Sequence, residues 1–441
     1  MRDVFHARRP DLATVWLGLF AGAAAVAYLL PRSTTLALVV AVVIALVGVV
    51  VWNPVVLPVV AMPLLVDADR IGDLSVSDFL LFGSFWVAVL FGRRPFSRTL
   101  RNLLWCVAVY QVASLFAVIA HVYPKNTIEW FHAFLITGGA LVVGWAIGAS
   151  GKAGWGLGLF VGMCVLISIN AIQGGIVQLS GGVWPLHAVY PSWPFALHKN
   201  FAGPTVAVGT LIAFARPAWL GWKARFAVPA FVICLLGVFF IQSRQSLVGL
   251  GVSMLVVALR PGRQRPRGAG VLLMLIVPVA LYVMSSVNAD LTDADGFNST
   301  TERAVGLDIG WQAWHDNPLF GAGLRWFVAD RGYPGFQPPN AVVETLSSVG
   351  VVGLAGFVVM MIGAVVIAWR LPREFGTLAA ALTVQRIVQS QFDQFWVGAH
   401  VSIPFVVLGV CVGAAAYAER RRSEEPSLPL SPSVTPAQQG T

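Results

Sequence analysis

The sequence predicts an all-α protein: a polytopic transmembrane helical bundle of about 12–14 membrane segments with one large extracytoplasmic loop. Three observations predict it. The chain of 441 residues is 57% hydrophobic and only 11% charged, with mean hydropathy +0.77. Soluble domains carry about a quarter charged residues, so a water-soluble fold could not hide this much apolar surface. The apolar residues fall in continuous runs of span length and do not alternate in polarity as the strands of a membrane barrel would. Finally, the basic clusters fall between the runs with the periodicity of a chain threaded through a bilayer.

The runs, in order, are 12–30, 34–51, 54–66, 75–91, 102–121, 130–148, 155–179, 201–215, 226–242, 246–259, 269–286, 341–369, 376–394 and 398–417. Segment 54–66 is short and contains Pro54, Pro58 and Pro63, which predicts a broken or re-entrant segment. Segments 201–215 and 246–259 are also short, and 376–394 is polar for a span. The first run contains Ala-Gly-Ala-Ala-Ala, which suits either a cleaved signal or a retained first span.

With both termini in the cytoplasm, the cytoplasmic loops receive 20 of the 29 basic residues, and every basic cluster lies on that side. The net charge of +9 therefore reflects membrane orientation and not nucleic-acid binding. Three substantial loops fall outside: 67–74, 180–200 and 287–340. The last contains a turn-rich polar run and then a predicted helix near 301–316, with Ser299 or Thr301 as its cap. The organisation is a membrane domain over 1–419 and a disordered cytoplasmic tail over 420–441. Cys106, Cys164, Cys234 and Cys411 all sit in apolar runs, without metal or disulfide spacing. No P-loop is present, which argues against an ATP-driven pump.

Charges at the outer membrane boundary are costly and therefore informative. Four groups qualify. His198-Lys199-Asn200 opens segment 201–215 behind a loop rich in Trp, Tyr and Pro; it reads equally as an interfacial belt or as a cationic mouth for sugars and phosphates. Arg244 is the only charge in a very short outer hairpin, Gln242–Ser246, and a guanidinium there suits a lipid headgroup or, preferably, a substrate phosphate. The outer loop carries Arg303, His315, Asp316, Asn317, Arg325 and Arg331, with a tight glycine turn at 318–323. A solvated loop with self-paired charges is the competing reading, and the better one for Arg331. Arg386 lies in a Gln-rich segment with Asp393; an ion pair and a cavity lining are both open, with the lining preferred.

Two stretches together resemble a known signature. Arg303, Trp311 and Asn317-Pro318-Leu319-Phe320-Gly321-Ala322-Gly323 come first; Pro339-Asn340, Glu344, Gly350 and Gly353 follow. This resembles the O-antigen ligase and O-antigen polymerase superfamily, over about residues 190–400. The resemblance implies transfer of a glycan from a polyprenyl diphosphate carrier to an acceptor hydroxyl, outside the bacterial cytoplasmic membrane, with inversion and without a metal or other cofactor. The implied partners are the lipid-linked glycan donor, a glycan, lipid or protein acceptor, and membrane lipid.

Carried over residue by residue, Arg244 and Arg303 would hold the diphosphate, with Arg386 as a further candidate; Lys199 joins them as the cation of the mouth at 198–200. His198, Asn200, Asn340 and Arg325 would contact substrate. Family members have His immediately before the Asn that opens the signature span; this chain has Pro339. His315, Asp316 and Glu344 are the substitutes nearby in sequence for a general base. A lipid-linked glycan flippase and a non-catalytic subunit of a glycan-assembly complex are the alternatives. A flippase needs charges through the midplane; here they gather at the outer boundary.

Overall fold

The computed structural model describes residues 53–67, 69–71, 74–92, 95–184, 186–260 and 299–424, with scattered positions among 20–50. The expected segments 12–30 and 34–51 are therefore described only in part, and segment 269–286, the start of the outer loop and the tail beyond 424 lie outside the described residues.

The described chain is a helical bundle. Helix α1 (Val56–Ala61) passes into a 3-10 turn at Met62–Val66, where Pro63 breaks the segment as its composition predicts. A two-residue hairpin, β1 (Arg70–Ile71) and β2 (Leu74–Ser75), precedes α2 (Val76–Leu90). Then come α3 (Arg98–Ala120), α4 (Pro124–Phe134), a π-helical turn at Leu135–Gly139 and α5 (Ala140–Ala149). They are followed by α6 (Ala153–Ser180), α7 (Lys199–Ala215), α8 (Ala224–Ile241) and α9 (Arg244–Leu259). The last four are α10 (Ser299–Asp316), α11 (Ala341–Arg370), α12 (Arg373–Gln389) and α13 (Gly398–Glu424).

Six of the described helices or continuous helix pairs are long and apolar enough to cross a membrane: α3, α4–α5, α6, α8, α11 and α13. The protein is a multi-pass helical membrane protein. Trp105, Val112 and Ile119, one every two turns along α3, are all exposed. Such a stripe suits lipid and not water.

Between lipid-facing helices the usual hydrophobic drive is absent, so packing depends on close approach. Gly144 and Gly148 of α5 face Gly409 and Gly413 of α13. A Cβ on Gly144 would lie 1.9 Å from the Val406 carbonyl oxygen, and one on Gly409 would lie 2.4 Å from that of Leu141. The two backbones are in contact because four glycines at i, i+4 spacing leave room. Gly356 and Gly363 of α11 serve the same purpose against Ala113 and Cys106 of α3.

The bundle has two chemically different ends. At one, basic side chains cap helix carbonyls: Arg420 donates to the Ala149 oxygen at 2.7 Å, and Arg260 donates to the Trp369 and Leu371 oxygens while lying over the Trp369 ring. Trp222 reaches the Gly154 oxygen there and Trp219 the Glu374 oxygen. Helix α13 runs on to Glu424, past the expected start of the tail at 420, with Arg421 and Arg422 in its last turn, where the helix dipole favours cations. The other end gathers 67, 69–71, 74–75, 121–131, 186–200, 242–245, 317–345 and 390–400. The four boundary groups singled out in the sequence all lie at this second end.

Candidate functional site

The signature turn and the signature helix are one structural unit. Helix α11 is broken at Gly350, whose backbone has φ 66° and ψ −169°. The break releases backbone groups, and the turn at 318–323 takes them up. Ala322 N–H donates to the Ser347 oxygen at 2.8 Å, and Gly323 N–H to the Ser348 oxygen at 3.0 Å. Returning, Val351 N–H donates to Pro318 at 3.0 Å and Val352 N–H to Leu319 at 3.3 Å. Gly321, at φ 67°, lies so close that a Cβ would be 2.4 Å from the Ser348 carbonyl carbon. The glycine spacing of both motifs is thus the requirement of a backbone-to-backbone joint.

The connection from α3 to α4 clamps the turn from outside. Tyr123 Oη donates to the Leu324 oxygen at 2.7 Å, and Asn126 Oδ1 accepts from Leu324 N–H at 2.9 Å. His121 Nε2 lies 2.7 Å from the Gly321 oxygen, and Arg331 reaches the other ring nitrogen at 3.0 Å. Arg331 is therefore engaged by the α3–α4 connection, over the Tyr123 ring and against His121, and not by a charge of its own loop. Burial raises the Tyr123 hydroxyl pKa well above the ordinary phenol range.

Asn340 caps α11, accepting from Val342 and Val343 N–H, and its amide donates to the Gln391 oxygen. Four residues on, Glu344 is buried, 2% exposed. One of its oxygens accepts from Gln337 and the other from Phe395 N–H, both at 2.6 Å. Arg386, 1% exposed, donates to the Gln394 oxygen at 3.2 Å and the Phe395 oxygen at 2.5 Å, and stacks on the Phe395 ring. Segment 376–394 does not remain helical to its end: α12 stops at Gln389 and the chain runs irregularly to Val397. Arg386 is buried away from the surface. With Glu344 and Asn340 it fixes this irregular segment by its backbone.

Fixing the segment aims Asp393. Gln245 donates from Nε2 to Asp393 Oδ2 at 2.5 Å and to the Asn200 oxygen at 3.1 Å. That bond joins the starts of α7 and α9, which open with Lys199 and Arg244 respectively. A cation in a helix's first turn is disfavoured by the dipole, which places positive partial charge there. Two adjacent helices with that feature make a locally positive end suited to an anion.

His198 caps α7, its Nδ1 accepting from Asn200 N–H at 3.2 Å, with Tyr190 edge-on at 5.2 Å. Burial and then Lys199 push its pKa below the ordinary value, while Asp393 and Glu302 act in the opposite sense. Arg303 stands one turn before Gly306, which packs on Pro339 beside Asn340 and the 390–397 segment, so α10 brings Arg303 to the same end as His198, Lys199 and Arg244. Glycines let α10 lie against the loop before α11: a Cβ on Gly306 would be 3.1 Å from Pro339 and one on Gly310 2.7 Å from Pro338.

The remaining candidates lie elsewhere. His315 and Asp316 are exposed at the far end of α10, about 18 Å along the helix axis from Arg303. Asp316 accepts from Tyr333 Oη at 2.7 Å; burial and that carboxylate push the Tyr333 pKa up to about 12. Arg325 turns inward, with Nη1 3.6 Å from Glu129 Oε2.

Residues 229–358 match a family model described as O-antigen ligase. Over that stretch the protein is O-antigen ligase-like. The ligase-like stretch starts inside α8, carries Arg244, Arg303 and the glycine turn, and ends just beyond the break at Gly350. No curated protein matches the chain. Lys199, Asn200, Arg386 and Asp393 lie outside the matched stretch, yet the Gln245 amide and the Glu344 carboxylate tie their segments to it.

Sequence reasoning did not single out Gln245 or Gln337 as organising residues, or Asp78, Glu129 and His132. The last three had a readable signal: Asp78 and His132 are polar residues inside otherwise apolar runs, and Glu129 stands just before one.

Proposed function

We propose that the protein is a membrane glycosyltransferase of the bacterial cytoplasmic membrane. It moves a glycan from a polyprenyl diphosphate carrier to an acceptor hydroxyl on the outer face, with both chain termini in the cytoplasm. The observation that carries the reading is the pair of adjacent helix starts, Lys199 and Arg244, joined through Gln245 and Asn200, with α10 delivering Arg303 to the same end. Fixed cations and helix N-termini are what a departing diphosphate needs, because its charge grows as the glycosidic bond breaks. The acceptor oxygen bonds to the anomeric carbon, the bond from that carbon to the phosphate oxygen breaks, and the acceptor proton leaves to a base.

Arg244, Arg303 and Lys199 hold the diphosphate in this scheme. His198, Asn200 and Asn340 shape its surroundings, and Arg386 acts as a positioning residue through the 390–397 segment. For the base, Asp393 is better placed than the residues nearest Pro339. Both carboxylates accept through both oxygens, Asp393 from Gln245 and from Gln394 N–H, but Asp393 is half-buried at the cationic end whereas Glu344 is sealed at 2% exposure, and His315 and Asp316 stand at the far end of α10 from Arg303.

The test mixes purified protein with a polyprenyl-linked glycan and an acceptor and follows release of polyprenyl diphosphate. A flippase or scaffold releases none. Arg244→Ala and Arg303→Ala are each expected to lower transfer by about 10²–10³-fold at unchanged protein abundance. Wild-type product formation in both variants defeats the proposal.

A further inference from the structure

A second polar centre lies next to the cationic end. A cavity of about 100 Å³ opens near the exposed Arg70 of β1 and runs inward between α2, α4 and the start of α13. Its inner wall contains Asp78, Glu129 and His132, all buried at 3%, 5% and 9% exposure. Burying three ionisable groups is costly unless they are paired. They are paired in a line. His132 Nδ1 is 3.1 Å from Glu129 Oε1, and Nε2 is 3.1 Å from Asp78 Oδ1, off the straight line of a good hydrogen bond. Arg325 continues the line on the other side of Glu129. Asp78 Oδ2 is held by Ser75, from Oγ at 2.6 Å and N–H at 2.8 Å, leaving Oδ1 without a hydrogen bond.

The helix beneath this cluster is irregular as well. The π-helical turn at Leu135–Gly139 follows His132 by three residues, and such turns recur at functional sites. Phe201 and Trp396 also line the cavity, and they belong to the two segments that carry Asn200 and Asp393. The cavity and the cationic end thus share walls.

The composition of the walls selects the ligand. Two carboxylates disfavour an anion such as phosphate. Two guanidinium groups, with the imidazole held between the carboxylates, disfavour a cation. A neutral group bearing several hydroxyls can donate to the carboxylates and accept from the arginines at once, and the Trp396 ring supplies an apolar surface of the kind a sugar face covers. The volume admits several water-sized groups, enough for the edge of one ring and not for an oligosaccharide.

We propose that this cavity binds the edge of a neutral sugar residue, the acceptor side of the transfer. The acceptor role rests on the proposed transfer reaction; sugar binding itself does not. Placed there, the sugar lies across the shared wall from the site assigned to the carrier diphosphate. Gly398, on the cavity wall, provides a substitution that leaves every charge in place. A Cβ there would lie 3.3 Å from Asp78 Oδ1 and 3.4 Å from Ser75 Oγ, so alanine is tight but tolerable and leucine fills the space.

The experiment is saturation-transfer NMR on the full-length protein in detergent, with methyl glycosides of neutral hexoses and N-acetylhexosamines as probes. At least one glycoside is expected to bind saturably to the wild type, to weaken by about tenfold in Gly398→Leu, and to resist competition by inorganic phosphate. Gly398→Ala, with a smaller expected loss, serves if the leucine variant does not fold. No saturable binding to the wild type, equal binding in the Gly398 variant that folds, or displacement by phosphate overturns the proposal. Binding of undecaprenyl diphosphate is measured in parallel. Its retention in Arg244→Ala speaks against the carrier site alone, and its loss in Gly398→Ala shows that the cavity is part of the scaffold and overturns the sugar assignment.

Discussion

Replacing Gly350 with alanine should take apart the joint between the glycine turn and α11. A Cβ at Gly350 would sit 2.2 Å from the Leu319 oxygen and 2.5 Å from Phe320 N. Both are backbone atoms, so no rotamer change relieves the overlap and the turn must move. Four hydrogen bonds cross the joint, and at about 0.5–1.5 kcal/mol each their loss costs about 2–6 kcal/mol. The backbone conformation at φ 66°, ψ −169° belongs to a region that only glycine occupies freely, which adds about 1–3 kcal/mol. The total is a large part of the net stability of a folded domain, about 5–15 kcal/mol. The assay is thermal unfolding in detergent together with limited proteolysis. Gly350→Ala should melt well below the wild type and be cut within 317–340 while the helices stay protected. Gly83→Ala is the control: its Cβ meets nothing within 4 Å, and in mid-helix it should be neutral or stabilise by about 0.5–1 kcal/mol. A Gly350→Ala protein with wild-type melting and an uncut loop would refute the idea that the two motifs form one joint.

Three further outcomes are expected. Glu344→Leu orphans the buried Phe395 N–H and frees the half-buried Gln337 Nε2, and should cost about 1–3 kcal/mol; hydrogen exchange should show the Phe395 amide newly unprotected, and an unchanged amide would count against Glu344 fixing the 390–397 segment. His198 has a depressed pKa, so it is still neutral and caps α7 at the ordinary histidine value of about 6.5, and loses the cap only as the pH falls through its own lower pKa. In a pH–activity profile His198→Asn, which caps without titrating, should flatten the acid limb; an unaltered limb would assign it to another group. Gly409→Val forces a side chain onto the Leu141 carbonyl and should destabilise the α5–α13 pair by about 1–3 kcal/mol or more, read as a lower melting temperature.

The parts of the fold that follow from one-dimensional properties were legible in the chain. Apolar run length marks which stretches can cross a bilayer, and six long helices occupy such runs. The prolines of 54–66 mark a break that the structure shows after Ala61. The loop helix expected near 301–316 is α10. The order of Arg303, the Asn317–Gly323 turn, Asn340 and Gly350 between the apolar runs carried the family resemblance, and the matched stretch 229–358 lies within the expected range. The i, i+4 glycines of α5 and α13 are a packing signal that a reading by run length alone passes over.

What the sequence by itself determined is how the chain divides between lipid and water, because that depends on the composition of each segment alone. Only the tertiary structure decided which polar groups meet. Arg386 and Asp393 are seven residues apart and read as one local pair or as a cavity wall. The fold instead turns Arg386 onto the carbonyls of Gln394 and Phe395 and turns Asp393 outward to Gln245, 148 positions away. Asp78, Glu129 and His132 look like isolated polar residues in or beside apolar runs, and only the packing of α2 against the helix that begins with α4 puts two carboxylates on one imidazole. A charge near the hydrocarbon must find a partner, but spacing along the chain cannot name a partner supplied by another helix.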